Sequence, residues 1–99
     1  MSDKQGISNE FRARADQLID VANRQANEVA TGQVSASMMY ATARFNAFQV
    51  AATAETSEDM AEEREHAVNY FTEQYRKMFE DHFDECLANF ERYTGRSSE

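Results

Sequence analysis

Three groups of side chains in this chain have the types and spacing that metal or nucleophilic chemistry uses. Glu63-Arg64-Glu65-His66 contains Glu-x-x-His. On a helix, three-residue spacing puts the carboxylate and the imidazole on one side, as in di-iron bundles. Such a site also needs a second motif and carboxylates on the facing helices. The stretch from Val34 to Ala52 contains neither Asp nor Glu. His82 and Cys86 are four apart, with Asp81 and Glu85 alongside. One chain supplies two ligands there, where a structural zinc takes four, so closure needs two chains. Cys86 as a nucleophile has no evident residue to orient a base and no glycine-rich turn for an oxyanion hole. No phosphate loop, dinucleotide fingerprint or Ser-centred elbow is present. These absences lead to the expectation of a protein that is not an enzyme, with no catalytic residue and no cofactor. Metal binding or redox chemistry through His82/Cys86 or Glu63/His66 stands as an alternative.

The elements that position these residues are helices. The chain has no proline and only Gly6, Gly32 and Gly95, with many Ala, Glu, Arg, Met and Gln. The central stretch Val34–Ala52, VSASMMYATARFNAFQVAA, is apolar nearly all the way round. Val34, Met38, Ala41, Phe45, Phe48 and Ala52 form one stripe. Ala36, Tyr40, Ala43, Ala47 and Val50 form another, roughly opposite. A helix of this kind must be covered on two sides, so it belongs inside a bundle. Arg44 lies within it, where burial demands a carboxylate or several carbonyls. It reads as a structural ion pair to the third helix, or as an anion site with Tyr40 and Asn46.

A first helix precedes it, with Ser8 or Asn9 as N-cap and Glu10 in its first turn. Phe11, Ala15, Leu18, Ile19, Ala22, Ala26 and Val29 form its single apolar stripe. Thr31-Gly32 is read as its end, with Gly32 in the left-handed cap position. The short link to the central helix makes the two antiparallel neighbours. Thr56-x-x-Asp59 resembles a capping box opening a third helix, with no stop signal until Thr94-Gly95. Unbroken, that helix runs some 36 residues, or about 54 Å, and overhangs the other two.

The expected fold is all-α: an antiparallel three-helix bundle with a central buried second helix and a long third helix. One domain spans 8–94, between disordered tails at 1–7 and 95–99. The structural core is expected at Phe11, Leu18, Tyr40, Arg44, Phe45, Phe48, Phe71, Tyr75 and Met78. The second half of the third helix carries a different seam: Phe79, Phe83, Cys86, Leu87, Phe90 and Tyr93. A contiguous apolar strip on so small a chain points to self-association, so a homodimer is expected. Glu80, Asp81, Asp84 and Glu85 flank the seam and repel across a parallel pairing. An antiparallel one brings them towards Arg92 and Arg96.

The net charge of −8 is unevenly placed. Residues 1–53 hold five acids and five bases; residues 54–99 hold thirteen and five. This disfavours nucleic acid and anionic membranes, which need clustered Lys and Arg. An acidic helical decoy that binds a basic protein is a second alternative. One cysteine excludes an internal disulfide framework. The N-terminal MSDKQGISNE lacks the apolar core of a signal peptide, and Arg44, Asn46 and Gln49 spoil the central stretch as a membrane span. A cytoplasmic location follows as the expectation.

Tyr40–Phe48, YATARFNAF, and Glu73–Glu85, EQYRKMFEDHFDE, resemble a family of short bacterial proteins classed as a domain of unknown function. Its Tyr-Ala-x-Ala-Arg-Phe-Asn-Ala core is matched by Tyr40–Ala47. Its Tyr-Phe-x-x-x-Tyr-x-x-Met segment is matched by Tyr70, Phe71, Tyr75 and Met78. The resemblance covers roughly residues 9–86. It implies a small helical cytoplasmic protein and supplies no activity, ligand or catalytic residue. The role expected from residues and resemblance together is a non-enzymatic interaction module that self-associates, with an unidentified protein partner also open.

Overall fold

The structure, a computed structural model, describes residues 7–97, which form five α-helices and no strand. They are α1 (Asn9–Gln25), α2 (Thr31–Thr53), α3 (Ser57–Glu62), α4 (Arg64–Ala88) and α5 (Phe90–Thr94). The chain divides into two compact units, Met1–Gln49 and Val50–Glu99, where the sequence suggests one domain over 8–94. The expected tails fall mostly on residues 1–6 and 98–99, outside the described residues.

In the first unit α1 starts where its chemistry predicts. Ser8 is extended (φ −82°, ψ 166°), and its hydroxyl accepts the Phe11 N–H at 3.1 Å. That bond satisfies one of the donors every helix start leaves open. The end of α1 differs from expectation. The last turn tightens to three-residue bonding, Asn27 N–H to Arg24 O (3.2 Å) and Glu28 N–H to Gln25 O (2.9 Å), which terminates the helix six residues early. Gly32 therefore lies inside the first turn of α2, and the glycine with a positive φ among the described residues is Gly95.

α2 carries its apolar side chains all round, and its large rings are exposed. Tyr40, Phe45 and Phe48 are 71%, 73% and 61% exposed. Among the described residues Val34 is the buried one, at 5%.

In the second unit Thr56 is extended (φ −138°, ψ 165°), and its hydroxyl accepts the Asp59 N–H at 3.0 Å, so the predicted cap opens α3. The long third helix is interrupted twice. Glu63 (φ −86°, ψ −3°) separates α3 from α4, although Ala67 N–H still reaches Glu63 O at 2.8 Å. Asn89 (φ −122°, ψ 37°) ends α4 outright. No glycine or proline causes this second break. The Asn89 side-chain amide donates at 3.0 Å to the Glu85 carbonyl, which also accepts the Asn89 backbone N–H at 3.1 Å, a local bond of the kind that competes with helix continuation. Gly95, at φ 72°, closes α5 with its N–H on Glu91 O at 2.8 Å, at the predicted stop. The substantial helix contacts of this unit are α3 with α4 and α4 with α5.

The residues expected in the core differ in exposure. Phe71 is half-buried, whereas Phe11, Leu18, Tyr40, Arg44, Phe45, Phe48, Tyr75 and Met78 are exposed. The reason is geometric: periodicity says which face of a helix is apolar, not which surface covers it. Among the described residues no helix is long and apolar enough to cross a membrane.

Candidate functional site

The residues read for metal chemistry stay apart. Glu63 sits at the α3–α4 junction and His66 in the first turn of α4, both exposed. His82 and Cys86 lie one turn apart on α4, both exposed, and Cys86 is a free thiol. Among the described residues no three His, Cys, Asp or Glu side chains converge as a metal-binding group. Arg44 is exposed, with its guanidinium 5.5 Å from the centre of the Phe48 ring, a cation–π contact one turn along α2. Asn46 is half-buried and Tyr40 exposed.

One further surface feature lies on α4. Tyr75, Phe79 and Phe83 follow one another at four-residue intervals, so each ring meets the next. Tyr75 and Phe79 stack at 5.9 Å and 17°; Phe79 and Phe83 are 5.9 Å apart and tilted by 44°. These rings form the floor of a groove of about 590 Å³, completed by Thr72, Arg76, Glu80 and Asp84. Its rim is charged in a definite order along the helix. Arg76 is at one end, joined to Glu80 by an ion pair of 3.2 Å, and Asp84 is at the other. All seven residues belong to α4, so the groove is a property of one helix and not of the packing between units.

The seam expected over 79–93 divides at the end of α4. Phe79, Phe83 and Leu87 are exposed on α4, with Cys86 between them. Beyond Asn89 the chain is held by a polar clip. Glu85 Oε1 accepts the Tyr93 hydroxyl at 2.7 Å, and Glu85 Oε2 accepts the Asn89 amide at 3.2 Å. The bond to Glu85 holds the proton on Tyr93 and raises its pKa above the usual 10.0, helped by desolvation and by the carboxylate charge. Phe90 is half-buried, with the Arg96 guanidinium 5.5 Å from its ring centre; Arg92 lies 5.1 Å from that of Tyr93. The two arginines expected to answer the acidic flank of a partner are thus engaged in their own segment.

Two features escaped the sequence reading. Tyr75 was assigned to the core, yet it continues the Phe79/Phe83 row, a four-residue spacing visible in the sequence. The Glu85–Asn89–Tyr93 spacing is visible too, but only the helix break brings the hydroxyl onto the carboxylate.

A family model described as a protein of unknown function (DUF3144) matches residues 11–87. The chain is 37% identical to the protein NB7890A from Shewanella sp, whose structure is known from NMR. The similarity covers 89% of this chain and 94% of that one, with a TM-score of 0.74. No curated protein matches the chain.

Proposed function

We infer a function from one premise: the chain belongs to the DUF3144 family of proteins of unknown function. It is a small helical module without catalytic activity that works by associating with a second copy of itself. The observation that carries this reading is the exposed apolar surface. Tyr40, Phe45 and Phe48 on α2, and Tyr75, Phe79, Phe83 and Leu87 on α4, are all open within their own units. Apolar surface of this extent on a chain of 99 residues calls for a cover.

Two covers act together in the proposed assembly. The first is within the chain: α1, α2 and the α3–α5 segment pack as an antiparallel three-helix bundle with α2 at its centre. The support is the all-round apolar surface of α2 and its short link to α1. The second is a homodimer, which covers what one bundle leaves open. The net charge of −8, placed wholly in residues 54–99, argues against nucleic acid and anionic membrane as partners.

The test is absolute mass in solution by light scattering at ~100 μM, with native mass spectrometry for bound metal or ligand. A mass of twice 11.3 kDa is expected. A monomer at that concentration overturns the self-association, and a stoichiometric metal ion overturns the metal-free module.

A further inference from the structure

We propose that the α4 groove is a self-complementary dimerisation site, filled by the same groove of a second copy running antiparallel about Phe79. This rests on the self-association reading and adds the surface, direction and register.

The groove is one-sided and belongs to one helix. At 100° per residue its centre lies more than about 100° around α4 from Phe71 and Met78, the side assigned to the bundle proposed above. A bundle that covers Phe71 and Met78 therefore leaves Phe79 and Phe83 open, and the occupant has to come from another chain.

The rim selects that occupant. Arg76, Glu80 and Asp84 lie on the same flank of the aromatic row. In an antiparallel helix pair like flanks face each other; in a parallel pair opposite flanks do. Parallel pairing sets Glu80 and Asp84 against the other flank, where Glu85 repels them and no Lys or Arg of the groove's length stands to answer them. Antiparallel pairing sets the flank against its own reverse. With Phe79 on the two-fold axis, Tyr75 stacks over Phe83 of the second copy. Asp84 of that copy falls within about 3 Å, along the axis, of Arg76, from the rise per residue. The symmetry makes this contact twice. Arg76 spends its Nε–H on Glu80 and has four further donors for a second carboxylate. Six half-exposed rings, at 150–250 Å² each, supply on the order of 600 Å², about half of a standard interface of ~1,200 Å². Leu87 and the aliphatic stems of the rim must furnish the rest, so the pair belongs to the weaker class of dimers.

Two measurements test the register. In a Cys86→Ala background, Phe79→Cys is expected to form a disulfide dimer under mild oxidation. Tyr75→Cys and Phe83→Cys are each expected to fail alone and to cross-link when mixed. In parallel, Asp84→Arg is expected to weaken the dimer at least ~10-fold by light scattering, and Arg76→Asp with Asp84→Arg to restore it. Circular dichroism checks that each variant keeps its helix. Self-cross-linking at all three positions establishes a parallel pair and overturns the proposal. A wild-type dimer that neither cross-links here nor responds to charge reversal overturns this interface while leaving self-association standing. A wild-type monomer removes both.

Discussion

α2 and α4 are of similar length and answer opposite requirements. α2 spreads its apolar side chains round its whole circumference, and Arg44 is its one charged residue. α4 is studded with acids and concentrates its rings in a single row. A helix apolar on every side is held only when enclosed, and it tolerates many orientations because no face is distinguished. A helix with one aromatic row and an ordered charged rim specifies direction and register at the cost of burying less. The first is suited to supplying the folding energy of this chain and the second to choosing what it pairs with.

The comparison breaks first at Phe45. If α2 is enclosed in the assembled protein, Phe45→Ala is expected to cost about 3–5 kcal/mol in urea unfolding, as for buried aromatics. A loss under about 1 kcal/mol would place α2 at a surface, because exposed substitutions stay within roughly ±0.5 kcal/mol. α4 is expected to respond in association instead. Phe83→Glu with Phe90→Glu should leave the helical signal intact while weakening the dimer at least ~100-fold, the equivalent of about 2.8 kcal/mol. Light scattering over a dilution series reads this, and loss of helicity would show that α4 too is needed for folding.

Smaller effects sharpen the contrast. Thr56→Ala removes the bond to the Asp59 N–H that opens α3 and is expected to cost about 1 kcal/mol. An unchanged melting temperature would mean the α3 start is held by packing. Arg44→Ala is expected to cost only about 0.5–1 kcal/mol, the worth of an exposed cation–π contact. A loss of 3 kcal/mol or more would show that assembly encloses the guanidinium beside a carboxylate.

The smallest effect is at the clip beyond α4. Glu85→Gln should bring the raised Tyr93 pKa back towards 10.0 in an ultraviolet titration. The folded state holds this proton more tightly, so the contact contributes in full below pH 10.0. It is lost as pH rises through the raised value. A titration unmoved by Glu85→Gln would place the cause of the shift elsewhere.

How much of this was legible follows from how far each determinant reaches along the chain. The caps at Ser8, Thr56 and Gly95 were readable because each rests on partners within four residues. The helical class was readable from composition, and the Phe79/Phe83 part of the aromatic row from its spacing, without Tyr75. The end of α1 was misread because Gly32 offered a plausible stop while the true one arose from tightened bonding at Arg24 and Gln25. The break at Asn89 was not readable, since Asn also occurs inside helices. Only the three-dimensional path joins Asn89 and Tyr93 to one carboxylate. Above all, periodicity showed which faces of α2 and α4 need covering but not what covers them. Burial is a relation between surfaces from different elements or different chains, and no local spacing encodes which surface arrives.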